Sequence, residues 1–413
     1  MLRLPISAMF LVLLLTCLCL SSVSVRLVKS LSGTIIVPDG YPTIQEAINR
    51  ADERDVIFVR NGVYYENVVV NKTVSLIGEN SSSTIIDGTS KGNVVDIDSD
   101  NVIVSGFTII NSGGAGDAGI NLRNINKCII KENSILNNWR GIWLYNCTNS
   151  VVHRNNISNT TGSLAIWVEE SNSIVISSNI ISNNPSGVYL YYSHSNVVCR
   201  NRIADNAYYG LTLTDSSMNL IIENVIENNF GWDGIDLWDS GSNVIMANDI
   251  LNNNLHGLRI GFSSNNAIYH NNFVNNTIPV YDTYREYGAS VPSVNSWDNG
   301  YPACGNYWSD YTGIDLFKGP YQNETCSDGV GDVPYVINES NRDNYPLMKL
   351  WVTMPEDVDC NGKVDMKDIG TVAKAFGSCL GQPRWNPEAD INQDGIIDLR
   401  DIAIVARNFG MPF

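Results

Sequence analysis

Apolar and polar positions recur along this chain with a period of about 23 residues between Asn126 and Asn276. The unit is two apolar residues, two variable ones, Asn, one variable, an apolar residue that is usually Ile, one variable, Asn or Asp, a short turn, then Gly and an alternating strand. Its copies read IIKENSILNN from Ile129, VVHRNNISNT from Val151, VISSNIISNN from Val175, VVCRNRIADN from Val197, LIIENVIENN from Leu220, VIMANDILNN from Val244 and AIYHNNFVNN from Ala267. Each leads into a strand such as GIWLY at Gly141, GVYLY at Gly187, GLTLT at Gly210, GIDLW at Gly234 or GLRIG at Gly257. Period-two alternation places Ile142 and Leu144 on one side of such a strand and Trp143 and Tyr145 on the other.

Strands this short cannot bury an apolar face alone, but coils stacked on coils can. The pattern therefore predicts a mainly β fold, a right-handed parallel β-helix over residues 33–289, closed by a C-terminal cap over 290–349. The recurring Asn133, Asn155, Asn179, Asn201, Asn224, Asn248 and Asn271 fit a ladder at the ~4.8 Å strand spacing, with the left-handed turns at the corners assigned to them. N-glycosylation is the rival use of asparagine, with sequons at Asn71, Asn159 and Asn323, but it does not explain the spacing. Near the start, Thr43 followed by Glu46 reads as an N-cap, so an amphipathic capping helix is expected over the first coil.

With 26 Lys and Arg against 43 Asp and Glu, the formal net charge is -17, which argues against nucleic acid and anionic lipid as partners and favours cations. Residues 1–24 read as a signal peptide, Arg3 preceding an uncharged apolar stretch from Leu4 to Leu20 and small residues after it; a retained membrane anchor is the alternative. Export places the chain outside the cell or at its surface, where Cys304/Cys326 and Cys360/Cys379 are close enough in sequence to pair. Cys128, Cys147 and Cys199 are expected to be small buried residues.

From Asp357 the chain turns acidic and repeats itself with an offset of 33 residues. The first loop offers Asp357, Asp359, Asn361, the Lys363 carbonyl, Asp365 and Asp368; the second offers Asp390, Asn392, Asp394, the Ile396 carbonyl, Asp398 and Asp401. Oxygen donors at positions 1, 3, 5, 7, 9 and 12, with Gly at 6, match an EF-hand loop, so two calcium ions are expected. Ile369, Val372, Phe376, Ile402, Val405 and Phe409 lie at helical spacing downstream and are expected to pack the two halves together.

Two resemblances follow from these segments. YPTIQEAINRA from Tyr41, NGVYYENVVVNKTVSLIGE from Asn61, the repeated coils and WDNGYPACGNYWSDY from Trp297 resemble the secreted β-helix family typified by the nitrous oxide reductase accessory protein NosD and the carbohydrate-binding and sugar-hydrolysis repeat proteins. The fold hosts many activities, so this implies architecture more than chemistry. The segment 355–413, with Asp at loop position 12 and one helix per loop, resembles a type I dockerin. That resemblance implies a cohesin-like partner, contacted at loop positions 10 and 11 by Met366, Lys367, Leu399 and Arg400. An alternative is that the tail caps the β-helix of a structural or adhesive surface protein.

Outward strand positions form a stripe Asn121, Trp143, Trp167, Tyr189, Thr212, Asp236, Arg259, with Arg123, Tyr145, Glu169, Tyr191, Thr214, Trp238 beside it. Trp143, Trp167, Tyr189, Tyr191 and Trp238 suit stacking on an extended extracellular polysaccharide, or else cross-strand packing, in a secreted or surface protein of an archaeon or bacterium. Asp215, Asp236 and Asp239 are the catalytic candidates, as carboxylates near enough for glycoside hydrolysis, with Asp233 placed at a turn. A lyase would want a basic residue, for which Arg259 is the candidate. His153, His194, His256 and His270 fall at unmatched positions, so copper is not expected.

Overall fold

A computed structural model describes residues 33–288, 291–352, 356, 358, 364–378, 384, 386, 389–392 and 396–410. The candidate leader 1–24, Cys360 and Cys379 lie outside the described residues. The chain divides into two compact units, one over Ser32–Trp351 and one that includes Val352–Phe413. Among the described residues no helix is long and apolar enough to cross a membrane.

Short alternating strands joined by tight corners give the first unit its architecture, a parallel β-solenoid to which each coil contributes one strand per sheet. The first sheet has 11 strands from Thr34–Val37 to Ala267–Tyr269, the second 11 from Gly62–Tyr65 to Tyr307–Trp308, and the third 10 from Val68–Val70 to Ile278–Asp282. Register is kept from coil to coil, so Ile130, Val152, Ile176, Val198, Ile221, Ile245 and Ile268 form one buried column. The helix Ile44–Arg50 starts at Thr43, whose Oγ1 accepts the Glu46 N–H at 3.1 Å, and buries Ile44, Ala47 and Ile48.

The asparagine ladder is present and buried. Asn179 Nδ2 donates to Asn201 Oδ1 at 2.9 Å and to Val152 O at 2.9 Å, and the same pattern runs from Asn133 to Asn306. Asp343 ends it, accepting from Asn306 N and from Trp308 Nε1. The left-handed corners, however, are not taken by the ladder residues but by those just before them: Glu132, Arg154, Ser178, Arg200, Glu223, Ala247 and His270 all have positive φ. Each ladder asparagine turns its amide inward to the neighbouring coil, and the preceding residue absorbs the bend. A second ladder, Asn184, Asn206, Asn229, Asn253 and Asn276, lines another corner.

Cys304 and Cys326 are not joined. Cys304 is buried with Sγ on the Pro302 carbonyl, and burial pushes its thiol up to about 12, whereas Cys326 is exposed. Cys128, Cys147 and Cys199 are buried as expected. Beyond the last coil, Trp308 stacks between Phe273 at 4.5 Å and Tyr335 at 4.2 Å, covering the end of the core.

In the second unit, helices Met366–Ala375 and Leu399–Arg407 begin at Asp365 and Asp398, each in a capping box with Asp368 or Asp401 three residues on. Val372 and Val405 are buried with Val364, Ala389 and Ile397, and Ile369 and Ile402 pack on them. Phe376 and Phe409 are exposed instead, because the helices end at Ala375 and Arg407 and the helical spacing no longer directs them inward.

Candidate functional site on the third sheet

Strand alternation and coil register together build the outer face of the third sheet. Trp143, Trp167, Tyr189, Thr212, Asp236, Arg259 and Tyr281 pair in sequence as one outward column. Tyr145, Glu169, Tyr191, Thr214 and Trp238 pair as a second. Both stripes are placed as the alternation predicts.

The rings do not lie open. Trp143 stacks on Trp167 with centroids 5.3 Å apart and Trp167 on Tyr189 at 6.4 Å, both within 14° of parallel. Arg123 lies over Trp143 at 5.0 Å, and Arg140 lies over Trp143 and Trp167 at 4.9 and 4.6 Å. Strand spacing of ~4.8 Å brings equivalent rings close enough to cover one another, the Trp143 Nε1 donates to Glu169 Oε2 at 3.0 Å, the Trp167 Nε1 is buried, and all five aromatics are half-buried.

Two coils further on, the face becomes charged. Asp236 Oδ1 accepts from Arg259 Nη1 at 3.2 Å, and Arg259 Nη2 reaches the Tyr287 hydroxyl at 3.4 Å. Asp233 is not at a turn; it opens the strand Asp233–Trp238, is fully buried, and its Oδ1 lies 2.6 Å from His256 Nδ1. The His256 ring stacks on Tyr281 at 4.6 Å. Asp233 and His256 are register partners, as are Asp236 and Arg259, so a buried aspartate–imidazole hydrogen bond and an ion pair stand side by side on adjacent strands. Burial pushes the Asp236 carboxyl up to about 6 despite the opposing pull of Arg259.

Aromatic residues stand at both ends of this strand pair. Trp232, 45% exposed, precedes Asp233 and stacks on Tyr209 at 5.7 Å. At the other end Trp238 meets Phe262 at 5.2 Å and Tyr287 at 4.9 Å, and those two are 43% and 53% exposed. Asp215 and Asp239 instead occupy the corner after their strands, with φ of 48° and 47°, where other coils place Asn146, Glu170, Tyr192 and Phe262. Asp215 faces Tyr192 and raises its phenol. Asp236 is thus the one catalytic candidate brought into the charged cluster. Trp232, Phe262, Tyr287 and the pairing of Asp233 with His256 were missed; the signal for that pair was its separation of one coil, the same 23 residues that separate Asp236 from Arg259.

A prediction follows from Asp236. Its folded-state pKa lies above the unfolded value, so the stability it contributes is complete below about pH 4 and lost as pH rises through about 6. Asp236→Asn should therefore raise the melting temperature at pH 8, by up to about 3 kcal/mol of stability, and not at pH 4. Thermal melts at the two pH values check this; equal shifts at both would refute it.

In the tail, Asp365, Asp368, Asp390, Asn392, Ile396, Asp398 and Asp401 are described, and Asp357, Asp359, Asn361, Lys363 and Asp394 lie outside the described residues. Asp368, Asp390 and Asp401 are buried, which fits carboxylates built to face a cation. Asp401 Oδ1 accepts from Asn392 N at 3.2 Å, bringing loop positions 3 and 12 together as calcium coordination requires. Among the described residues no three His, Cys, Asp or Glu side chains are grouped as a metal site. Met366, Lys367, Leu399 and Arg400 are all exposed at the starts of the two helices.

Three family models match the chain. Residues 52–186 match the right handed beta helix region, residues 159–313 the periplasmic copper-binding protein (NosD) family, and residues 355–410 the dockerin type I domain. This chain is a NosD-like right-handed β-helix protein with a C-terminal dockerin type I domain. A cell surface glycoprotein of Methanothermus fervidus is 36% identical to this β-helix/dockerin chain over 107 residues, 25% of this chain and 17% of that protein. Geobacillus virus E2 ORF18 shares the β-helix fold at TM-score 0.54 and 14% identity, over 75% of this chain and 68% of that one. The alginate lyase of Paenibacillus sp. str. FPU-7 is more distant at TM-score 0.40 and 14% identity, over 66% of this chain and 97% of that one.

Proposed function

We propose that this is an extracellular or surface-held polysaccharide-binding protein of an archaeon or bacterium, with its sugar site where Asp233–Trp238 and His256–Gly261 lie side by side. The carrying observation is the pairing of a hydrogen-bonding floor, Asp236 and Arg259, with exposed Trp232, Phe262 and Tyr287 at its two ends. Aromatic faces take the apolar faces of sugar rings while the charged floor takes hydroxyls. Trp238 belongs to this site; Trp143, Trp167, Tyr189 and Tyr191 extend it with their half-buried ring edges.

The tail, in this reading, holds two calcium ions through the twelve donors given by its loop spacing. It docks to a cohesin-like module through Met366, Lys367, Leu399 and Arg400. Their placement at equivalent points of the two helices supports this, Met366 and Leu399 being the most exposed apolar residues there. Copper binding is not carried over from the family description: His153 bonds Ser177, His270 bonds the Ala303 carbonyl, and His256 is engaged by Asp233.

The test is retention of the full-length protein on a panel of insoluble and immobilised polysaccharides. Trp232→Ala and Tyr287→Ala should each weaken retention about tenfold, the equivalent of ~1.4 kcal/mol. Trp167→Ala, which breaks a ring stack rather than an open ring, should lower thermal stability more than retention. If nothing is retained, the chain is a structural or adhesive surface protein, the reading that the self-satisfied stack of Trp143, Trp167 and Tyr189 favours.

A further inference from the structure

We infer that Asp233, His256 and Asp236 form an acid–base site that hydrolyses a glycosidic bond of the polysaccharide bound on this face. The inference rests on the sugar-binding reading above. Asp233 is the positioning residue: its Oδ1 at 2.6 Å from Nδ1 selects the tautomer that carries its proton there and leaves the Nε2 lone pair as base. The imidazole is fixed a second time by Tyr281, stacked within 6° of parallel at 4.6 Å. No hydrogen bond of Nε2 to the described protein is present, and that atom is not sealed from solvent.

Burial of Asp233 with Oδ2 unpartnered is costly. Such a cost is expected where a base must be oriented. Asp236 stands on the same strand, three residues on and on the same outer face, and its carboxyl is held protonated to a higher pH than an exposed aspartate. It serves as the acid.

In the reaction, His256 Nε2 takes one proton from water while the water oxygen bonds to the anomeric carbon. The bond from that carbon to the bridging oxygen breaks, its electron pair stays on the oxygen, and that oxygen takes the proton of Asp236. One water is consumed, two chain ends form, and the proton on His256 returns to Asp236 through solvent.

The experiment takes each polysaccharide that the full-length protein retains and measures new reducing ends and the mass of the products. Hydrolysis is expected, with products heavier by one water per cleavage and a rate that falls as pH rises through about 6. His256→Gln should reduce the rate by about a hundredfold with retention unchanged, and Asp236→Asn should reduce the rate per bound polysaccharide by a similar factor. Asp233→Asn should reduce it about tenfold and move the low-pH limb of the profile, which a purely structural residue would not do. Retention with no product, or a rate unchanged in His256→Gln, overturns the site while sparing the binding reading; unsaturated products overturn hydrolysis. Absence of retention removes the binding reading itself.

Discussion

Chelating calcium from the full-length protein should unfold the helices Met366–Ala375 and Leu399–Arg407 and leave the solenoid folded. Asp368 and Asp401 are 0% exposed and Asp390 3% exposed, with further acids in the same loops. Without a cation those charges would be desolvated against one another, a cost larger than two short helices and the six core residues described there can offset. Ion binding and folding are therefore expected to be coupled, and at a hundredfold excess over Kd each proposed site would add about 2.7 kcal/mol. Amide hydrogen exchange with calcium and with chelator measures this directly: protection in the two helices should vanish while that of the three sheets stays. Equal protection in both conditions would falsify the calcium assignment. Capture by an immobilised type I cohesin should likewise require calcium and be lost in Met366→Ala/Leu399→Ala.

The second large effect is expected at the ladder. Asn201 Oδ1 accepts from both Asn179 N and Asn179 Nδ2 at 2.9 Å, and its Nδ2 donates to Ile176 O at 2.8 Å and to Asn224 Oδ1 at 3.0 Å. Asn201→Leu removes these at once and leaves several buried groups without partners, at roughly 1–3 kcal/mol each. A loss of about 4 kcal/mol or more is expected in denaturant unfolding, against less than about 0.5 kcal/mol for the exposed Asn156→Ser. Similar losses for the two variants would mean that the ladder does not hold the corners.

Period and alternation made the solenoid legible because both are local consequences of strand geometry. A coil of about 23 residues fixes which residues become neighbours, so the columns from Trp143 to Arg259 and from Tyr145 to Trp238 could be written from sequence. The inward ladder was legible for the same reason, although its backbone was not. Asparagine suits a left-handed corner by itself, but the demand of buried amides across coils turned it inward and moved the corner to residues such as Ala247 and His270.

The same two rules missed the Asp233–His256 pair. By strict alternation from Ile235, Asp233 would point inward, but Gly234 breaks the alternation. A Cβ there would meet Asn253 Nδ2 and Gly257 O at 2.7 Å, and the residue before this glycine pairs with His256, whose ring stacks on Tyr281 of the outer column. The aromatic row shows the converse: sequence placed every ring in its column, but a column does not specify ring rotation. That was decided by spacing between coils, which let Trp143, Trp167 and Tyr189 cover one another and left Trp232, Phe262 and Tyr287 open. Sequence by itself thus determined which residues share a coil position and which donors share a loop, since those depend only on counting along the chain. Which faces stay open, which acid is buried and which imidazole it orients were decided by the tertiary structure, because they depend on side-chain packing between residues a full coil apart.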